Sequence, residues 1–188
     1  MIQIRFHGLG GQGVVSSAHL MGKAAIIGKM WANSLPFFTT SQRGGKVSAY
    51  TRIDVNPIDQ HCYIYEPDIL VLFHPLLLQD NDAMKGLKVN SKLLINTAGQ
   101  RIFIPDPFTQ DTYCLDADEI SRSVLGIPVP STVMVGALLR MIENITMDNL
   151  KNAVEQSFGQ RQVAKNIKAI EKGFESCKLL ELKGERLK

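Results

Sequence analysis

Along this chain the spacing of apolar and polar positions separates strands from helices from the first residues onward. Ile2 and Ile4 place β-branched side chains two apart and predict a short strand over 2–6. That strand runs into Gly8-Leu9-Gly10-Gly11-Gln12-Gly13. Beyond the glycines, Val14, Ala18, Met21 and Ala25 fall on one helical stripe and predict a helix over 14–27. Gly28 is placed to end it as a left-handed C′ residue. The opening reads strand, glycine turn, helix, the first half of a βαβ unit.

A second strand is expected from 31, stopped by Pro36 and spent by 38, followed by the polar, glycine-rich loop Thr39-Thr40-Ser41-Gln42-Arg43-Gly44-Gly45. Residues 47–55 alternate cleanly. Val47, Ala49, Thr51, Ile53 and Val55 share one face, and Ser48, Tyr50, Arg52 and Asp54 the other. Asn56-Pro57 marks a turn, after which 58–65 is expected to return as a hairpin partner. Ile69-Leu70-Val71-Leu72-Phe73 is a continuous apolar run of the kind that suits a central parallel strand covered on both faces. A short helix follows over 76–84, then strands over 93–96 and 101–104, and a turn or two of helix over 116–125. The last third reads as helical: Ser131 is the candidate N-cap of a helix reaching Ile142, Thr146 caps one over 147–158 closed by Gly159, and a third runs from 163 to about 180. The predicted fold is α/β: a three-layer Rossmann-like sandwich, a mostly parallel sheet with an added β-hairpin, and a helical C-terminal third.

Composition narrows the class. With 188 residues, 45% of them apolar and 21% charged, the chain is expected to be one domain over 1–188, with enough apolar surface to exclude disorder. No run approaches the roughly 18 apolar residues of a membrane span, and the N-terminus lacks the apolar core of a signal peptide, so a soluble, cytoplasmic protein is expected. The net charge of +3 is unevenly placed: residues 151–188 hold nine Lys/Arg against five Asp/Glu. Interleaved with Glu along helices, that surplus reads as a solvated face, or alternatively as a docking surface for an acidic partner. It is too sparse for a nucleic-acid footprint. Cys62, Cys114 and Cys177 stand far apart, and with His7, His19, His61 and His74 scattered, neither a disulfide framework nor a metal or iron–sulfur site is indicated.

Two motifs carry candidate chemistry. Gly8-x-Gly10-x-x-Gly13 lies after a strand and before a helix, where glycines let the backbone approach a ligand and free N–H groups attract an anion. The acidic residue that would bind ribose hydroxyls about 20 residues on is missing, which disfavours a nicotinamide or flavin site. No Gly-Lys-Ser/Thr follows, so it is not a Walker loop. The same glycines could equally serve only a tight turn and close helix–sheet packing. The second motif is the loop with Ser41, Arg43, Gly44 and Gly45, whose guanidinium is a fork-shaped donor for phosphate or carboxylate. His74 ends the buried strand where ligand-facing residues of open α/β sheets lie, but a structural role is expected, and no catalytic set assembles.

Several segments in order carry a family resemblance. Residues 4–13, Leu35-Pro36-Phe37-Phe38, Gln42-Arg43-Gly44-Gly45, Ala49-Tyr50-Thr51-Arg52-Ile53-Asp54, Tyr65-Glu66-Pro67-Asp68 and Ser131-Thr132-Val133-Met134-Val135-Gly136-Ala137-Leu138 resemble the gamma subunit of 2-oxoacid:ferredoxin oxidoreductases, in particular the pyruvate/2-ketoisovalerate type. The resemblance covers nearly the whole chain. It implies a complex that decarboxylates a 2-oxoacid, forms acyl-CoA and CO2, and passes two electrons to ferredoxin.

The resemblance implies that thiamine diphosphate would be held by alpha and beta subunits, that iron–sulfur clusters of the complex would carry the electrons, and that a ferredoxin-like delta subunit or domain would be a further partner. This subunit alone holds no cofactor and no catalytic residue. It would pack on the thiamine-binding subunits, with Leu35-Pro36-Phe37-Phe38 as a candidate apolar contact. Gly8, Gly10, Gly11, Gln12, Gly13, Ser41, Arg43, Gly44 and Gly45 would face the coenzyme A approach. The loop Thr40-Ser41-Gln42-Arg43-Gly44-Gly45 departs from the Glu-Arg-Arg-Gly-Ala-Pro-like loop of pyruvate-type relatives toward the Gly-Gly version of 2-oxoglutarate relatives; the whole pattern still favours the pyruvate type. Three other readings stay open: the small subunit of an indolepyruvate oxidoreductase, a free-standing Rossmann-like nucleotide-binding domain, and a scaffold whose glycines serve packing alone.

Overall fold

The structure is a computed structural model that describes residues 1–37, 45–104 and 111–180. Its strands are β1 (Ile2–Leu9), β2 (Trp31–Phe37), β3 (Lys46–Asp54), β4 (Ile69–Leu72), β5 (Lys92–Asn96), β6 (Thr112–Leu115) and β7 (Lys178–Leu179). Its helices are α1 (Val14–Ile27), α2 (Asn81–Met84), α3 (Ala117–Leu125), α4 (Ser131–Leu138), α5 (Met147–Ser157) and α6 (Gln160–Ser176), with 3-10 turns at Pro75–Gln79 and Leu139–Met141. The strands form one sheet in the order β2-β3-β1-β4-β5-β6-β7. β1, β4, β5 and β6 pair in parallel, β3 is antiparallel to both β1 and β2, and β7 is antiparallel to β6. β2 therefore points the same way as β1, and all but β3 and β7 share one direction. The mostly parallel α/β sheet with an antiparallel addition is as expected.

The two faces of the sheet are covered differently. Ile4, Phe6, Ile53, Ile69, Val71, Leu94 and Leu115 point to one side, where α1, α3, α4, α5 and α6 bury them in the main core. Alternate residues Leu70, Leu72, Leu93 and Ile95 point to the other, under Leu77 and Leu78 of the first 3-10 turn, Ala83 of α2, and Ile104. All four residues of β4 are buried, as its continuous apolar run requires.

Several local expectations are corrected. Residues 58–65 form no strand; β3 instead takes β2 as its outer partner, from Trp31↔Asp54 to Phe37↔Ser48. The carbonyls of Cys62, Tyr63, Ile64 and Tyr65 are claimed by the guanidiniums of Arg52 and Arg5. Pro36 does not stop β2, because β2 is an edge strand, where a missing N–H is tolerated. Gly28 is not left-handed (φ −73°). The helix closes with Lys29 N–H donating to Ile26 O and Met30 N–H to Ala25 O, a Schellman pattern that puts the left-handed φ of 62° on Lys29.

Residues 101–104 are not a strand. The place beside β5 is taken by β6, whose single turn of sheet the apolar pattern did not single out. Pro130, rather than Ser131, is the N-cap of α4, and α4 tightens into a 3-10 turn after Leu138. Phe158 rather than Gly159 closes α5, and Gly159 opens α6, which starts at Gln160 and leaves its last residues free to pair as β7.

Candidate functional site

β1 exits through α1 to β2 and β3 on one side of the sheet, while β4 leads to β5 and β6 on the other. The carboxyl ends of β1 and β4 therefore flank the point where the strand order switches, the usual ligand crevice of open α/β sheets. The glycine turn lies there. Gly8 belongs to β1 itself, paired with Val47, and a Cβ on it would fall 2.4 Å from Val14 Cγ2 and 2.9 Å from Phe73 Cβ. This glycine is needed for close strand–helix packing. Gly11 is different: its φ is 98° and a Cβ there would meet nothing within 4 Å, so the tip of the turn faces open space. Gly13 (φ 77°) caps α1 and backs against α4, where a Cβ would lie 2.6 Å from Ser131 Cβ. The Ser17 hydroxyl donates to Gly13 O (3.0 Å) and lies 3.2 Å from Ser131 O, pinning the starts of α1 and α4 together.

Gln12 is the knot of the turn. Its Oε1 accepts from Leu9 N–H (2.7 Å) and its Nε2 donates to Phe73 O (3.1 Å), tying the end of β1 to the end of β4. The Phe73 carbonyl also accepts from Asn96 Nδ2 (3.1 Å). Asn96 is fully buried: its amide also donates to Asp118 Oδ1, and its Oδ1 accepts from Ala98 and Ala117 N–H. This hub joins the ends of β1, β4 and β5 to the start of α3, and sequence reasoning missed it; the polar residue closing Leu93-Leu94-Ile95-Asn96 was the available signal.

Gly10 N–H donates to Gly45 O (2.9 Å), so the first glycine motif is held against the start of β3. Gly8, Gly10, Gly11, Gln12, Gly13 and Gly45 are thus brought together. Ser41, Arg43 and Gly44 lie outside the described residues, as does Phe38 of the candidate apolar contact, whose Pro36 is exposed. His74 has the structural role expected: Nδ1 accepts from Leu76 N–H (3.3 Å) and caps the 3-10 turn.

Beneath the turn, on the face of β1 away from α1, sit Arg5 and His7. Arg5 donates to the carbonyls of Ile64, Tyr65, Ala83 and Lys85, and burial pushes its pKa down. His7 is held neutral, with its pKa lowered to about 4, first by burial and then by the Arg5 charge. Its Nε2 is buried without a hydrogen-bond partner, as is Arg5 Nε. Above them Lys46 pairs with Asp80 at 2.8 Å, linking the start of β3 to the cap of α2. The arrangement offers backbone donors and an open glycine tip, with no acidic residue in the first turn of α1. Among the described residues no three His, Cys, Asp or Glu side chains converge as a metal site, and no helix is long and apolar enough to cross a membrane.

A family model described as pyruvate ferredoxin/flavodoxin oxidoreductase matches residues 3–176. The common gamma subunit of the pyruvate/ketoisovalerate oxidoreductases of Pyrococcus abyssi is 34% identical over 97% of this chain and 100% of its own length. The crystal structure of the pyruvate oxidoreductase subunit PORC of Thermotoga maritima superposes with a TM-score of 0.79 at 24% identity, over 94% of this chain and 97% of that one. A 2-oxoglutarate:ferredoxin oxidoreductase of Magnetococcus marinus, solved with 2-oxoglutarate, coenzyme A and succinyl-CoA bound, shares the fold at a TM-score of 0.75 and 21% identity. The match covers 92% of this chain but 30% of that longer one.

Proposed function

The chain belongs to the pyruvate ferredoxin/flavodoxin oxidoreductase family, and on that premise we propose how it serves the complex. Residues 1–188 act as one gamma-type domain of a cytoplasmic, thiamine diphosphate-dependent enzyme. That enzyme converts a 2-oxoacid, coenzyme A and oxidised ferredoxin to acyl-CoA, CO2 and reduced ferredoxin, with pyruvate favoured as the 2-oxoacid. Alpha and beta subunits carry the thiamine chemistry, and a ferredoxin-like delta subunit or domain carries electrons onward. The gamma chain encloses the approach of coenzyme A with its glycine turn and the loop bearing Arg43.

The observation that carries this reading is the turn itself. Gly8 and Gly13 are needed for packing, but Gly11 is not: its left-handed tip stands open at the switch point, beside a helix start that carries no side-chain cap among the described residues. That combination suits the phosphates of an extended ligand better than a scaffold does. The pyrococcal relative is described as common to pyruvate and ketoisovalerate oxidoreductases, which supports a subunit that does not itself choose the 2-oxoacid.

The test is isolation of the native complex under anaerobic conditions, with mass identification of its subunits and dye reduction dependent on a 2-oxoacid and coenzyme A. Thiamine-binding and ferredoxin-like partners with pyruvate-dependent turnover are expected, and a chain that comes down alone overturns the assignment. Within the assembled complex, Arg43→Ala should weaken coenzyme A binding by about tenfold, the scale of one charge-assisted phosphate contact. Unchanged affinity removes the loop from the coenzyme site.

A further inference from the structure

A groove opens on the face of β1 and β3 that points away from α1. Those two strands are its floor, the segment 63–66 and the end of α2 are its walls, and it encloses about 370 Å³. Arg5 fastens the walls together, donating to Ile64 and Tyr65 O on one side and to Ala83 and Lys85 O on the other. Gly86 closes the joint, since a Cβ there would strike Tyr65 O. The groove is therefore shaped by backbone contacts rather than by loose side chains.

Its floor is unfinished. Arg5 is 5% exposed, yet among the described residues no carboxylate pairs with it. Its bonds all go to neutral carbonyls, and Nε, which can only donate, has no partner. Two residues along β1, His7 also keeps Nε2 buried and unpartnered. Such groups in one cavity are costly unless something completes them. The rim does not: Glu66 is taken by Lys88 (2.8 Å), and Asp82 and Lys85 bring opposite charges. The walls are aromatic. Tyr50, opposite Arg5 in the strand register, has its ring centre 5.4 Å from that of Tyr63, and Tyr65 adds a third ring.

We propose that this groove binds a small organic carboxylate with an aromatic body, its acid group accepting from Arg5 Nε–H and His7 Nε2–H and its ring lying among Tyr50, Tyr63 and Tyr65. An acceptor is required because Arg5 Nε can only donate, and a charged one because the guanidinium lacks a counter-ion. His7, held neutral, completes the pair in its Nε2–H tautomer. Neither nitrogen is open to water in the empty groove, so entry requires the exposed side chains of Tyr63 and Tyr65 (43% and 71%) to swing outward. The volume lies at the small-molecule end of ligand cavities, which favours a free acid of one ring over a segment of a partner chain. The inference does not depend on the coenzyme A reading.

The experiment titrates phenylacetate, phenylacetamide and acetate into the full chain and into the assembled complex by equilibrium dialysis, with the imidazole NMR signals followed on the chain. Phenylacetate is expected to saturate both forms and to move the His7 signal, with the amide and acetate each bound about tenfold more weakly or worse. His7→Phe should cost phenylacetate about tenfold and narrow its lead over the amide. Tyr63→Ala, at a partly exposed position, should weaken acid and amide alike, which separates the ring contact from the acid contact.

Failure of phenylacetate to saturate either form overturns the site. So does an acid that binds no better than its amide, or one whose affinity and preference survive in His7→Phe. Binding to the free chain that disappears in the assembled complex also overturns it, and assigns the groove to a carboxylate side chain of a neighbouring subunit.

Discussion

The two faces of the central sheet are closed by opposite means. On the helical side, apolar side chains and bare backbone do the packing. A Cβ on Gly136 would fall 2.0 Å from Ile170 O, and one on Gly173 the same distance from Val133 O, so α4 and α6 touch backbone to backbone. On the other side of β1 and β3, two buried guanidiniums take the place of a helix. Arg52, 2% exposed, donates to the carbonyls of Cys62 and Tyr63, and Arg5, 5% exposed, to those of Ile64, Tyr65, Ala83 and Lys85. One face depends on the absence of side chains and the other on the reach of the longest ones. The difference teaches where each face is vulnerable: the helical side to added volume, the arginine side to lost hydrogen bonds.

Gly173→Ala is the strongest way to break the helical side. Its methyl group meets a carbonyl rather than a flexible side chain, so the helices must part. A loss of about 3 kcal/mol or more is expected, at the upper end of overpacking penalties, read from the denaturant midpoint. A midpoint within experimental error of wild type would show that α4 and α6 can separate freely. On the arginine side, Arg52→Met keeps much of the volume but removes the donors from the part-buried carbonyls of Cys62 and Tyr63. Roughly 2–4 kcal/mol is expected, with hydrogen exchange rising first in residues 60–66 while α4 and α6 stay protected. Equal deprotection of both faces would mean that they are not separable as described.

The same contrast explains what could be read in advance. The helical side was legible because its signals are local. The stripe from Val14 to Ala25 located α1 to the residue, and Thr146 marked the start of α5. The arginine side was not, because its logic joins residues about 10 to 80 positions apart. Arg52 appears as one polar member of an alternating strand, and nothing in the run of 58–65 says that its carbonyls go to side chains rather than to a ladder. The glycine turn lies between these cases: its position and its glycines were legible, but not the division of labour among them. Only the packed structure separates Gly8 and Gly13, pressed against Phe73 and Ser131, from the unhindered Gly11, and reveals Gln12 as the fastening between β1 and β4.

His7 provides a measure of the arginine side that depends on pH. Its pKa is about 4 in the folded protein and near 6.5 when unfolded, so between those values the unfolded chain binds a proton that the native one refuses. Its contribution is fully present above pH 6.5 and is lost progressively as the pH falls toward 4, on the order of 2–3 kcal/mol across that window. Carboxylates such as Asp80, whose pKa is held low by Lys46 and the Asp82 N–H against the upward push of burial, lose their contribution only below that range. Unfolding midpoints taken between pH 7.5 and 4.5 should therefore decline, and His7→Phe should flatten the decline. A slope that persists in the variant would assign it to other groups.

The smallest expected effect returns to the helical side and tests whether its local signals act locally. The Thr146 hydroxyl accepts from Asn149 N–H (3.2 Å), and Asn149 Oδ1 accepts in return from Thr146 N–H (3.0 Å), a capping box at the start of α5. Both groups lie at the surface, so water can take over much of what is removed. Thr146→Ala should lower stability by about 1 kcal/mol, and Thr146→Ser should restore most of it. Because the box contacts neither arginine nor the α4–α6 seam, its effect should add to that of Arg52→Met within about 0.5 kcal/mol, as for independent sites. A coupling well beyond that would show that the cap reaches across the sheet, and the division into a locally encoded face and a long-range one would fail.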